Sequence, residues 1–289
     1  MRVTNNVLIN NIKNNLSRNI RAMEVIQNQL TSGRRITRPS EDPTGITESL
    51  RISSRLRENA GFKQNVQDAL GWASFTDETL GGLNSALQRV YELTVEGANA
   101  TYEKEERNAI AAEIEQIKSE IESIANTTFG DRYIFGGTNT KVKPYDEGTW
   151  HHNSASINYG IGVGVEIPIN RTAEEVFVQT DVFGTLDKII THLENGDVAA
   201  LSKDIEPIQA ALNQVAEVRV RVGATVNRLE FTKNRLDGQE INYATMQSEV
   251  DGVDTAWAIM QLKDQENVYR TTLAVGARII MPTLVDFLR

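Results

Sequence analysis

Few side chains in this 289-residue chain could do chemistry, and their spacing argues against it. The histidines are His151, His152 and His192. The first two follow Asp146 and Glu147 closely, a donor set that suggests a transition metal. Adjacent residues on a strand point to opposite faces, however, and no further ligand arrives at a zinc-like spacing, so the segment reads as a solvated loop. Gly160-Ile161-Gly162-Val163-Gly164 has the glycine density of a phosphate-binding loop. It lacks the closing Gly of GxGxxG, the Lys-Ser/Thr of a Walker loop and a following helix, so a turn or flexible strand is expected. Neither a Gly-x-Ser-x-Gly elbow nor a His-Glu-x-x-His helix occurs. Glu103, Glu105 and Glu106 stand at a helix start, where negative charge suits the macrodipole. Cysteine is absent, which excludes disulfides and thiol chemistry. The expectation is a chain with no catalytic residue, no cofactor and no metal.

The elements carry more information than the reactive groups. Apolar residues make up 40% and charged residues 24%, an ordinary balance for a chain that buries a core. Aromatic content is 6%, which suits long helices packed by aliphatic side chains. A net charge of -9 argues against a nucleic-acid surface, and no apolar run approaches the roughly 20 residues that span a bilayer. Residues 1–20 contain Arg2, Lys13 and Arg18 and many Asn, with no apolar h-region, so no cleavable signal peptide is expected.

Both ends of the chain carry apolar stripes at helical spacing. Ile9, Ile12, Leu16, Asn19, Met23, Ile26 and Leu30 step by threes and fours, the seam of a heptad helix with one Asn in it. At the other end Ile259, Leu262, Tyr269, Leu273, Ile280 and Leu284 form a second stripe, followed by Phe287 and Leu288. Six of the first fifteen residues are Asn, a poor helix former, and each large apolar side chain left wet forgoes about 1.5–3 kcal/mol. The terminal segment is therefore expected to be mobile in a free monomer and helical only against partners. An ordinary docked helix is the alternative, since packing often rescues weak propensity.

Between the ends, Gly33 to Gly45 breaks the period. Pro39 and Pro43 cannot sit in one regular helix, so this is a linker, with Asp42 as N-cap and Pro43 at the first helical position. Its charges, Arg34, Arg35 and Arg38 before Glu41 and Asp42, suit either a solvated loop or a device setting register between subunits. The helix that follows carries Phe62, Val66, Ala69, Ala73, Thr76, Leu80, Leu83, Leu87 and Val90 on one seam. Fifty-odd residues would reach about 80 Å at 1.5 Å each. A pause at Gly97–Thr101 precedes Ile110, Ile114, Ile117, Ile121 and Ile124, an amphipathic stripe. From 130 to 180 glycines and prolines punctuate strand-like runs, and Ile157, Tyr159, Ile161, Val163, Val165, Ile167 and Ile169 alternate strictly. Helix returns with Phe183, Leu186, Ile189, Ile190 and Leu193, stopped by Asn195-Gly196-Asp197. A last seam runs through Ile208, Leu212, Val215, Arg219, Val222, Val226, Leu229 and Leu236. The fold class is mainly α with a small β-rich insert: a long helical coiled-coil or bundle rod built from both chain ends, with the insert at its tip.

The residues at the joints of this arrangement resemble the flagellin superfamily and, within it, the hook-associated branch at the hook–filament junction. Four stretches carry the likeness: Leu30-Thr31-Ser32-Gly33-Arg34-Arg35-Ile36-Thr37-Arg38-Pro39-Ser40-Glu41-Asp42-Pro43; Asp131-Arg132-Tyr133-Ile134-Phe135-Gly136-Gly137-Thr138; Val222-Gly223-Ala224 with Asn227-Arg228-Leu229; and Leu273 to Leu288. Pro-Ser-Glu-Asp-Pro in the linker and Pro-Thr-Leu-Val-Asp-Phe-Leu at the end are similar to the junction branch more than to flagellin proper.

The resemblance implies three domains. Residues 1–42 and 251–289 would form a terminal coiled-coil assembly domain, 43–129 and 181–250 a helical rod domain, and 130–180 a β-rich outer domain. Ile9, Ile12, Leu16, Met23, Ile26 and Leu30 are expected to pack between subunits, as are Leu262, Tyr269, Leu273, Ile280, Leu284 and Phe287. Arg38, Pro39, Asp42 and Pro43 are the linker residues. Expected partners are further copies in a ring, the hook-side junction protein, flagellin filament subunits and a cytosolic export chaperone on the C-terminal region; no nucleic acid and no membrane insertion are expected. The implied location is the extracellular flagellum, reached through the type III export channel. The alternatives are a flagellin filament subunit and an intracellular coiled-coil scaffold.

Overall fold

The computed structural model describes residues 2–99, 101–146 and 148–280. Among the described residues six α-helices dominate: α1 (Arg2–Ser32), α2 (Pro43–Gly97), α3 (Lys104–Ala125), α4 (Val182–Asn195), α5 (Val198–Asp251) and α6 (Thr255–Ile280). Six short strands lie between α3 and α4, followed by one π-helical turn at Glu174–Val178. The mainly α fold with a small strand insert, built from both ends of the chain, is the one the periodicity predicts.

Two compact units divide the chain, one of residues 1–58 with 239–289, the other of residues 59–238. In the second unit the heptad positions form the core. Val66, Ala69, Ala73, Leu80, Leu83, Leu87 and Val90 of α2 are at most 1% exposed. From α5, Ile208, Val215, Val222, Leu229 and Leu236 enter the same core at intervals of seven. Ile110, Ile114 and Ile121 of α3 complete it, with Leu186, Ile189 and Leu193 of α4. A capping box closes the start of α3, Glu103 and Glu106 each serving the other's backbone. α4 ends on Gly196 at φ 73°, a left-handed position that glycine adopts without strain.

The insert is not one sheet. β1 (Thr128–Phe129) pairs with β2 (Arg132–Tyr133), β3 (Tyr145–Asp146) with β4 (Thr149–Trp150), and β5 (Asn158–Gly162) with β6 (Val165–Pro168), all antiparallel. The strict alternation from Ile157 to Ile169 is thus a hairpin and not a single strand. Its turn falls at Val163-Gly164, where Val163 is 72% exposed and Gly164 takes φ 68°. Ile161, Ile167 and Ile169 still point inward: the two-residue turn pairs Gly162 with Val165, even with odd, and the bulge between Gly160 and Gly162 restores odd with odd, Tyr159 facing Ile167. Packing of the insert relies on rings: Tyr145 stacks on Phe183 at 4.2 Å, and Phe135 meets Phe177 edge-on at 5.3 Å.

Candidate assembly interface

In the first unit, α1 and α6 pack against each other and run antiparallel, Ile12 lying beside Gly276 while Asn19 Nδ2 meets Thr272 Oγ1 at 3.5 Å. The approach is close at Gly276, where an added Cβ would stand 3.2 Å from Ile12 Cγ2. Ile9, Ile12, Leu16, Met23 and Leu30 are half-buried along this seam, and Ile26 is buried. From α6, Leu262 and Tyr269 are half-buried while Leu273 is 45% exposed. Ile280 ends α6; Leu284 and Phe287 lie outside the described residues.

One seam does not use up the apolar surface of these helices. Val7, Leu8, Ile20 and Val25 on α1, with Trp257, Ile259, Met260, Val268 and Val275 on α6, are 43–57% exposed. An open groove of about 440 Å³ lies between the helices, lined by Ile9, Ile12, Leu16, Leu273 and Gly276. On α6, Trp257, Val268 and Val275 follow one flank at steps of eleven and seven, a stripe with room for a further neighbour.

The linker is an ordered joint. Arg35 N donates to Asp251 O at 2.6 Å, and Val253 N to Gly33 O at 3.2 Å. Arg34 Nε stands 3.8 Å from Asp251 Oδ2, and Arg35 Nη2 donates to Val250 O at 2.9 Å. Arg38-Pro39-Ser40-Glu41 forms a β-turn with Glu41 N on Arg38 O at 3.0 Å, proline occupying the second position that its fixed φ suits. Glu41 reaches back to accept the Thr37 and Arg38 amides at 2.8 and 3.1 Å, and these bonds hold its carboxyl below the usual range. Asp42 Oδ1 accepts Gly45 N at 2.9 Å at the start of α2, which likewise lowers its pKa. Arg34, Arg35 and Glu41 thus close onto groups of their own chain, an arrangement that neither the solvated-loop nor the subunit-register reading of the linker charges described.

Some joint residues were not singled out from the sequence. Asp251, 3% exposed, accepts the Ser49 hydroxyl at 2.6 Å across 202 positions of sequence. Asp254 caps α6 through Trp257 N at 3.1 Å. Ile36 is buried, and Gly45 leaves room for it, since a Cβ there would fall 2.5 Å from Ile36 Cδ1. The Asp251-Gly252 pair between two helical patterns was the available signal for the first.

The histidines are placed apart. His152 Nε2 lies 3.3 Å from Glu174, and His192 Nδ1 lies 2.6 Å from Asp204. Among the described residues no three His, Cys, Asp or Glu side chains come together as metal ligands.

Residues 3–140 match the family profile of the bacterial flagellin N-terminal helical region, and residues 205–288 that of the flagellin C-terminal helical region. The chain belongs to the flagellin superfamily. Flagellar hook-associated protein 3 of Escherichia coli (strain K12) is 25% identical over 257 residues, 79% of this chain and 80% of that protein. The flagellin of Bacillus subtilis (strain 168) is 29% identical over 274 residues, 89% of this chain and 88% of its own length. Among solved structures, FlgL of Bacillus cereus is 29% identical with a TM-score of 0.62, over 68% of this chain and 99% of that one. This flagellin-superfamily chain is a structural component of the bacterial flagellum and not an enzyme. It assembles with other flagellar components outside the cell.

Proposed function

We propose that the chain is the adaptor of the hook–filament junction. Copies form a ring that joins the hook-side junction protein to the first layer of flagellin. The observation that carries this reading is the α1–α6 pair, which covers one apolar seam and leaves further apolar side chains bare on the faces of both helices. Ordering the terminal segments costs conformational entropy, and burial of those faces between subunits offsets it. Residues 1–42 and 251–289 are the assembly segment in this reading, 43–129 with 181–250 the helical segment, and 130–180 the outer one. Before export through the type III channel, a cytosolic chaperone covers the C-terminal region.

The junction is favoured by the hook-associated relative and by the Pro-Ser-Glu-Asp-Pro and Pro-Thr-Leu-Val-Asp-Phe-Leu stretches. A filament subunit is the second reading, and the 29% identity to a flagellin over 89% of the chain favours it. Electron microscopy of cells lacking the protein separates them. The junction reading expects intact hooks without filaments, with flagellin lost to the medium. Filaments attached normally in those cells contradict it, and long filaments grown from purified subunits alone support the second reading.

A further inference from the structure

The unit of residues 59–238 presents two helix faces of opposite charge. On α5, Val220 and Phe231 are 72% and 73% exposed, and their eleven-residue separation is close to three turns, so they are in line. Ala224 and Asn227 lie exposed between them, giving the four-three-four steps of a packing seam. Along one flank run Arg221, Arg228 and Arg235 at intervals of seven. Arg221 reaches Glu217 at 2.8 Å, whereas Arg228 and Arg235 have no ion pair among the described residues.

α3 carries the counterpart. Ala109, Ala112, Gln116 and Ser119 are exposed at three-four-three steps, a seam small enough to admit Val220 and Phe231. Glu106, Glu113 and Glu120 follow one flank at intervals of seven. Glu106 serves the helix start and Glu113 meets Arg89 at 2.7 Å, while Glu120 has no ion pair among the described residues. Both charged rows repeat about every 10.5 Å along their helices.

We propose that the α5 face of one copy docks on the α3 face of a second copy, with the arginine row against the glutamate row. This rests on the reading of the chain as an assembling subunit and assigns that assembly a specific contact. Like faces repel, since α3 would meet α3 glutamate to glutamate and α5 would meet α5 arginine to arginine. The charges therefore choose the partner face and its register. Two different surfaces make a heterologous contact, which repeats from copy to copy and closes as a ring or continues as a helix.

The chain has no cysteine, so engineered thiols report the contact directly. Chains carrying Ala112→Cys and Asn227→Cys are co-expressed in cells lacking the native copy, and their isolated flagella are oxidised. A disulfide-linked dimer of one chain of each kind is expected, absent when either chain is expressed alone. Arg228→Glu with Arg235→Glu is expected to abolish incorporation, and adding Glu113→Arg with Glu120→Arg in the same chain to restore it. Flagella that hold both cysteine chains without a mixed dimer overturn the contact and leave the assembly reading standing. Flagella that lack the wild-type chain overturn that reading and the contact with it.

Discussion

The Ser49 hydroxyl donates to the Asp251 carboxylate at 2.6 Å, joining the first turns of α2 to the last residue of α5. Asp251 is 3% exposed, and Arg34 Nε stands 3.8 Å from the same oxygen. A buried hydrogen bond to a charged group contributes about 1.5–3 kcal/mol. Asp251→Ala is expected to loosen the joint by that order. Trypsin should then cut faster at Arg34 and Arg35, while the melting of the unit of residues 59–238 stays unchanged. Equal cleavage rates in variant and wild type contradict this role.

Glu41 provides a pH test. Its carboxyl is held below the ordinary value of about 4.3 by the Thr37 and Arg38 amides, so it favours the folded joint above that value. The contribution is lost as pH falls through the lowered folded pKa. Nuclear magnetic resonance should show the Thr37 and Arg38 amide shifts moving with a midpoint below about 4.3. Glu41→Gln should abolish the movement. A midpoint at or above the ordinary value refutes the assignment.

Core positions should separate sharply from exposed ones. Leu83 is fully buried among the helices, so Leu83→Ala is expected to cost about 2–5 kcal/mol in urea unfolding. Val220→Ala, at an exposed position, should stay within about 0.5 kcal/mol. A small effect at Leu83 means that its contacts are made differently.

Gly276 sets the spacing of the terminal helices, with Ile12 Cγ2 standing 3.2 Å from where a Cβ would be. Gly276→Leu is expected to part α1 from α6 and block incorporation into flagella without lowering the melting of residues 59–238. Ile280→Asp, in the last turn of α6, should behave alike. Normal incorporation of both variants contradicts an assembly role for the pair.

Helices were legible because their signals are local. Asp42-Pro43 marks the start of α2, five isoleucines mark the inner stripe of α3, and heptads from Ile208 to Leu236 mark α5. The β5–β6 turn was not legible, since alternation passes through Val163-Gly164 with its phase intact. Asp251 was missed for a different reason: its donor Ser49 is 202 residues away, and no periodicity reports a single long-range bond. The linker charges could be seen but not paired, because Arg35 closes onto Val250 O, a backbone group that has no signature in sequence.

Deuterium uptake compared between the purified monomer and the assembled form tests the central claim most directly. Coupled folding predicts fast exchange in residues 7–32 and 255–278 of the monomer, slow exchange in the cores of α2, α3 and α5, and strong terminal protection gained on assembly. Terminal helices already protected in a dilute monomer, with nothing gained on assembly, contradict it.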